Sequence, residues 1–404
     1  MGVAPCTVRA FTATCALGAG LGAVEAALRS GRSALRPNTM PHTPHDTWVG
    51  EVDGLDDVRL PGAWARDGDC RATRLAWAGL QHDDFIAAVG ACRQRWGAAR
   101  VGVIIGTSAS TIAASEEAYR RLDATGGFPA DRRNPRLNTP HALAMFVGEA
   151  LGLDGPALTV STACSSSAKA FASAARWLQL GVVDAVVVGG VDALGASLLH
   201  GFRSLGLVSA RPCRPFDAAR SGLSVGEAAA YALLVRDDGG LRLLGCGESN
   251  DAHHMSSPHP QGLGADEALA AALGAARVTA EAVDLVLLHG TASAQNDEVE
   301  AALVARRYPP AVHASATKGL TGHTMGAAGA LQAVFALLAL QRGVCPGSGP
   351  TETVDPALGE AFARQWQARP VPRAVRVAAS HSFGFGGTNA VLVFGQNAAA
   401  GATR

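Results

Sequence analysis

Charge is scarce in this chain of 404 residues. Only 17% of the side chains are Asp, Glu, Lys or Arg, and the 34 basic groups cancel the 34 acidic ones. With no excess of either sign, nothing draws the whole chain to a polyanion, so nucleic acid is not an expected partner, and recognition of any acidic protein would need a local patch. Closely spaced cysteines are missing as well. The eight cysteines, at positions 6, 15, 70, 92, 164, 213, 246 and 345, form no C-x-x-C pair. No basic n-region introduces a continuous apolar block near Met1, so a disulfide framework is not expected and a reducing cytoplasm is the expected compartment. Beyond the first residues the longest apolar run, 327–340, falls short of the roughly 20 residues a spanning helix needs, and no membrane segment is expected. No spacing suggests a metal set, and neither a metal nor a soluble cofactor is expected.

What is present is apolar bulk. Hydrophobic residues make up 48% of the chain, enough at this length to bury a large core, and two fused domains are the first expectation. Residues 1–28 read as strand, turn and helix. Short β-branched runs at 101–105, 157–160, 185–188, 285–288, 375–379 and 390–394 alternate with Ala/Leu helices. Continuous apolar strands of this kind indicate a sheet covered by helices on both faces, hence an α/β class. The chain also repeats itself. Residues 8–31 resemble 241–273, and 157–180 resemble 312–340, which predicts a duplication with its seam near 237–240. The halves are therefore 1–238 and 239–404. Residues 107–138 fit neither copy and read as an inserted cap or interface, and the small, polar tail 396–404 reads as frayed.

Four segments carry chemistry. In Val160-Ser161-Thr162-Ala163-Cys164-Ser165-Ser166-Ser167 a strand gives way to a helix, placing Cys164 at a helix N-terminus. Unpaired N–H groups and the positive end of the dipole there are expected to favour thiolate over thiol and to offer donors to an oxyanion. An arbitrary cysteine is ordinarily a small buried hydrophobe, and the other seven keep that reading. The second segment, Leu285-Val286-Leu287-Leu288-His289-Gly290-Thr291, puts a histidine at the end of a buried strand, where α/β sites assemble. Its polar continuation, Ser293, Asn296, Asp297 and Glu300, reads as a loop entering a helix whose first turn suits acidic residues. In the third, Lys318-Gly319-Leu320-Thr321-Gly322-His323-Thr324-Met325-Gly326, His323 precedes an apolar helix whose dipole would disfavour an imidazolium. Lys318, between a strand and a glycine-rich turn, suggests an ion or hydrogen-bond role. The fourth, Ser380-His381-Ser382-Phe383-Gly384-Phe385-Gly386-Gly387-Thr388-Asn389, can aim backbone N–H groups at a ligand. No helix follows its glycines, which argues against a phosphate cradle.

In this order, together with Arg214-Pro215-Phe216-Asp217 and Asp251-Ala252-His253-His254-Met255, these segments resemble the elongating β-ketoacyl-acyl-carrier-protein synthases over nearly the whole chain. The resemblance implies a thiolase-like five-layer αβαβα fold made of two duplicated halves, each with a mixed sheet. It implies decarboxylative condensation of malonyl-carrier with an acyl group held as a thioester on Cys164. His289 and His323 would polarise the malonyl carbonyl, and Lys318 would support that network. The N–H groups of Cys164 and Phe385 would form the oxyanion hole. Phe385 would gate an acyl pocket shared with Phe383 and Phe202, and Thr291, Ser293 and Ser256 would line the pantetheine channel. The implied partners are an acyl carrier protein and a second chain, identical or related, in a dimer.

Departures from the family pattern are specific. Gln332 stands nine residues after His323 where many members have glutamate, which leaves open what pairs with Lys318. His381 replaces a common asparagine. Ser293 and Ser256 replace threonines but keep the hydroxyl, while Ala228 and Ala230 replace glycines. One alternative is a non-catalytic chain-length partner of the same fold, which would ordinarily lack the cysteine. A thiolase would need a second cysteine near its C-terminus, and a coenzyme-A-dependent starter synthase would pair its cysteine with His and Asn. Arg120, Arg121, Arg132, Arg133, Arg136 and Arg203 are the candidate basic rim for the carrier.

Overall fold

The computed structural model describes residues 4–134 and 136–396; the tail expected to fray falls outside them from residue 397 onward. Ten strands build the main sheet: β1 (Cys6–Cys15), β2 (Val101–Gly106), β3 (Ala157–Val160), β4 (Ala185–Asp192), β5 (Ala228–Val235), β6 (Leu241–Asn250), β7 (Leu285–Leu287), β8 (His313–Ser315), β9 (Val377–Gly384) and β10 (Thr388–Gln396). The two-residue strand Gly18–Ala19 is added beside β1.

The duplication read from the sequence is visible in the strand order. The first half runs β1-β5-β4-β2-β3 and the second β6-β10-β9-β7-β8, so each of the five positions is filled by the same strand in order of appearance. Pairing directions match as well. The first two neighbours are antiparallel and the last two parallel in both halves. The two half-sheets join where β1 pairs with β6, at Cys6↔Leu243 and Thr7↔Arg242. The chain crosses between them from Val235 to Leu241.

The helices that complete the layers are α1 (Gly20–Ser30), α2 (Arg71–Leu80), α3 (Ala142–Leu151), α4 (Ser166–Gln179), α5 (Leu263–Ala276), α6 (Ala294–Arg307) and α7 (Ala328–Arg342). Strand side chains alternate between faces, and this sorts the core into three clusters. Along β4, Val186 and Val188 face a central cluster, whereas Val187 and Val191 face an outer one with α2 and α3. A third cluster joins the opposite face of β7 and β9 to α5 and α6. The central cluster holds α1, α4 and α7. Helix–sheet–helix–sheet–helix is the result.

Residues 328–340 are all buried. The helical segment Met325–Arg342 is long and apolar enough to cross a membrane by composition, but 89% of it is buried inside the protein. A helix hydrophobic all round is the expected middle layer of such a core. It approaches α4 closely: a Cβ on Gly329 would come within 2.6 Å of the Ala168 nitrogen. That contact brings the N-termini of the two central helices together, and the site lies there.

The 107–138 segment contains the helix Ile112–Arg120 and the short turn Ala130–Arg132. Ile112, Tyr119 and Leu122 on it are exposed, as is Leu158 on the edge strand β3. Its arginines are committed locally: Arg121 pairs with Asp131, Arg133 with Asp123 and Arg136 with Glu149. Arg120 and Arg132 approach Glu116, Glu117 and Asp131 only at 3.8–3.9 Å, so the segment's arginines are paired in part.

Candidate active site

Cys164, the candidate nucleophile, is set up by a strained turn. After β3 the chain passes through Ala163 at φ +50°, a left-handed conformation that costs a non-glycine residue on the order of 1 kcal/mol. The Thr162 N–H donates to Ser166 Oγ at 2.9 Å, and Thr388 Oγ1 donates to the Thr162 carbonyl at 3.0 Å, so the glycine-rich loop of the second half clamps the turn. Cys164 then stands just before Ser165, which caps α4, and is 6% exposed.

Three groups converge. Cys164 Sγ is 3.0 Å from His323 Nε2. The His289 and His323 rings lie edge to face with centroids 5.5 Å apart. One ligand-type atom from each of the three residues falls within 4.8 Å of the others, and no other such trio occurs among the described residues. Lys318, buried beside them, donates from Nζ to the His289 carbonyl and lies 3.4 Å from His289 Nδ1.

These contacts fix the histidine tautomers. The Met325 N–H donates to His323 Nδ1 at 3.2 Å, so the ring proton is on Nε2 and points at the sulfur. Lys318 faces His289 Nδ1 as a donor in the same way, leaving Nε2–H for the cavity. Burial holds both imidazoles well below their ordinary range, and the Lys318 charge acts in the same direction. Neutral N–H donors were expected from a helix dipole at His323. The cause here is the dry surroundings and the lysine.

The thiolate expectation does not hold. Burial pushes the Cys164 thiol up to about 11, opposed by the Lys318 charge and by hydrogen bonds from the N–H groups of Phe385 and of Cys164 itself, with Asp192 adding a push upward. Desolvation outweighs the helix terminus, and the resting residue is a thiol. The two backbone donors that reach the sulfur are those expected to form the oxyanion hole.

A cavity of about 350 Å³ opens onto these groups. Cys164, His289 and His323 line it together with Phe202, Phe383 and Phe385. The Phe202 ring is 6.0 Å from Phe385 and 6.5 Å from His323, centroid to centroid. Thr291, Ser293 and Ser256 also line the cavity, with Thr291 Oγ1 2.9 Å from Ser293 Oγ. The residues expected at the site are therefore brought to one place.

Residues 74–239 match the beta-ketoacyl synthase N-terminal domain and residues 242–352 the C-terminal domain. The chain belongs to the beta-ketoacyl synthase family. It is 33% identical over 396 residues to nodulation protein E of Rhizobium meliloti (strain 1021), covering 95% of this chain and 96% of that protein. The mitochondrial 3-oxoacyl-[acyl-carrier-protein] synthase of Arabidopsis thaliana is 35% identical over 266 residues, 60% of this chain and 57% of the relative. In the solved complex of the ketosynthase ApeO with its chain length factor ApeC, from Xenorhabdus doucetiae, one chain superimposes with a TM-score of 0.89 at 32% identity, covering 98% of each chain. The protein is an acyltransferase that extends acyl chains by decarboxylative condensation.

Two acids of this synthase were underread in the sequence. Glu300, on α6, accepts the backbone N–H of His289 at 2.7 Å and of Gly290 at 2.8 Å. Burial pulls the Lys318 amine down to about 8, and the Glu300 charge is the largest of those opposing that shift. Glu300 is thus the acid nearest in effect to Lys318, whose amine bonds His289, while Gln332 donates to the Leu288 carbonyl at 2.7 Å. No motif spacing marks the other acid, Asp192 at the end of β4. Buried, it accepts from Thr107 Oγ1 (2.7 Å) and from the N–H groups of Ser108, Ala109 and Gly326 (2.8, 2.8 and 2.7 Å). It ties the start of the inserted segment to the turn that follows His323. Burial pushes its carboxyl up to about 6 against those four donors.

Proposed function

We propose that the acyl chain is carried on Cys164 and that His289 and His323 drive the malonyl step. The supporting observation is the convergence of a thiol and two Nε2–H donors at one end of a cavity lined by aromatic rings and hydroxyls. In the first step Sγ attacks the thioester carbonyl of an acyl-carrier. The S–C bond forms, the carrier sulfur leaves, and the proton lost by Cys164 ends on the carrier thiol. The N–H groups of Cys164 and Phe385 hold the oxyanion, an effect worth several kcal/mol where such donors are pre-aimed.

A malonyl-carrier then enters past Thr291, Ser293 and Ser256. Its thioester oxygen accepts from both imidazoles, the bond to the carboxylate breaks and carbon dioxide leaves. The resulting enolate attacks the Cys164 thioester, giving the 3-oxoacyl-carrier and expelling Cys164 as a thiolate, which takes a proton from solvent to regain the thiol. Neutral imidazoles suit this step because they stabilise enolate charge without being consumed as acids. Phe385 supplies an oxyanion donor and, packed on Phe202, gates the acyl pocket. Lys318 keeps His289 in the productive tautomer.

The second macromolecular partner is a ketosynthase-like chain, the same or related, docking on the exposed apolar side chains of the inserted segment and the edge of β3. The pathway supplied is fatty-acid or polyketide/polyene elongation in the cytoplasm. A non-catalytic chain-length partner would make no use of Cys164 or the two oriented rings. Incubation with malonyl-carrier and a panel of acyl-carriers, alone and with a co-expressed related chain, tests the proposal. A carrier-bound 3-oxo product two carbons longer is expected. No elongation with any acyl-carrier, in either state, would contradict it.

A further inference from the structure

Behind His289 runs a buried chain that no step above uses. The Tyr308 hydroxyl lies 2.9 Å from His381 Nε2, and His381 Nδ1 lies 3.1 Å from Glu300 Oε1. His381 and Tyr308 are both buried, with exposures of 0% and 4%. The same Glu300 oxygen accepts the His289 N–H, while the other accepts the Gly290 N–H. Since a carboxylate only accepts, the His381 proton is on Nδ1, and the Tyr308 hydroxyl donates to Nε2. Burial pushes the Tyr308 phenol upward, which keeps its hydroxyl proton available for that bond.

The ring has a second contact that points the same way. His381 stacks near Phe383 at 5.2 Å, and Phe383 lies 6.0 Å from His289. Two routes therefore connect position 381 to His289, one through the Glu300 carboxylate to its backbone N–H and one through a cavity-lining phenyl to its ring. Gln332 adds weight to the first. Its side-chain carbonyl oxygen is buried without a hydrogen bond, and as an amide it supplies no charge to Lys318, so the placement of Glu300 matters more here than where a glutamate occupies 332.

We infer that His381, braced by Tyr308, is a positioning residue that sets where Glu300 holds the His289 backbone and places its charge near Lys318, and so tunes malonyl decarboxylation but not acylation of Cys164. The inference rests on the assignment of His289 to the malonyl step. Asparagine, common at this position in the family, places an amide N–H about where Nδ1 lies, so the bond to Glu300 survives that exchange. Leucine fills a similar volume and donates nothing.

The test compares His381→Leu, His381→Asn and Tyr308→Phe with the wild-type protein, together with any partner chain it requires. Acylation of Cys164 is followed by intact mass, and malonyl-carrier decarboxylation by kcat and KM. His381→Leu is expected to lower the decarboxylation kcat about tenfold, the usual effect of stranding a buried charged acceptor. KM and the acylation rate stay within about twofold of wild type. His381→Asn restores most of the lost kcat, and Tyr308→Phe gives a loss of about threefold. Equal rates for the Asn and Leu variants, or acylation falling in parallel with decarboxylation, would overturn the inference. Should the Leu variant fail to fold, a Tyr308→Phe variant with unchanged kcat does so too. Wild-type protein that never decarboxylates malonyl-carrier would instead overturn the assignment of His289 itself, and variant ratios do not enter that result.

Discussion

Matched strand for strand, the two halves spend the same positions on different chemistry. β3 and β8 are equivalent, and each leads through a turn with a non-glycine residue at positive φ, Ala163 at +50° and Met325 at +53°, into a central helix. One turn delivers a thiol and the other an imidazole, and they meet at 3.0 Å. The ends of β2 and β7 differ more. Beyond β2 stands Thr107, whose hydroxyl is committed to Asp192, whereas just beyond β7 His289 presents its ring to the cavity. Each half also has a buried acid that braces the chain beyond a strand end, Asp192 from the end of β4 and Glu300 from α6. Asp192 accepts four hydrogen bonds and braces backbone; Glu300 braces backbone while facing a lysine and a second histidine. Duplication thus supplied two copies of one scaffold, and what separates a structural strand end from a reactive one is whether its polar group is used up by neighbours.

The sharpest break of this comparison is loss of the proposed nucleophile. Cys164→Ala should lower condensation at least about a thousandfold while the fold persists, since a small apolar residue replaces a small buried thiol; product formation by mass spectrometry measures it. Removing one imidazole from the second half, by His289→Ala or His323→Ala, should cost about a hundredfold in malonyl decarboxylation, as for one oxyanion donor. Acylation by acyl-carrier should be far less affected in His289→Ala.

Asp192→Ala probes the structural acid. It strands four buried donors and should destabilise the protein by about 3 kcal/mol, read from denaturant midpoints at constant slope. The sign of the pH effect in the parent protein follows from the carboxyl being raised to about 6. The folded state holds that proton more tightly than the unfolded chain, so this group's contribution falls as pH climbs from about 4 to 6. Alkylation sharpens the state of the thiol. With Cys164 pushed up to about 11, its rate of modification by iodoacetamide should climb about tenfold per pH unit between about pH 7 and 9. A plateau below about pH 8 would restore the resting thiolate. The smallest effect is expected from Arg133→Glu. Its guanidinium is already paired with Asp123 and bonded to the Phe128 carbonyl, so KM for the carrier substrate should change by about twofold or less at low salt.

Much of this was legible because the reactive groups follow apolar strands directly. The apolar run 285–288 leads straight into His289, and three serines follow Cys164 where a strand gives way to a helix. Lys318 carried a further signal: it is one of two lysines, with Lys169, among 34 basic residues. Elsewhere arginine serves, and a compact amine that titrates when buried is found at the site. Asp297 and Glu300, one helical turn apart, could have been read as a pair facing the same way. Other features depend on distance in three dimensions. Whether a helix terminus or desolvation governs a thiol turns on how dry the pocket is, and no spacing reports that. The commitment of Arg121, Arg133 and Arg136 to acids up to 13 residues away likewise emerges only when the inserted segment folds back on itself.

One sulfur among eight is placed to carry the acyl chain, and peptide mapping after incubation with an acyl-carrier tests that placement most directly. A single adduct of the acyl mass on Cys164 is predicted, with the other seven cysteines unmodified and no adduct in Cys164→Ala. An adduct on a different cysteine, or none from any loaded carrier, would contradict the account.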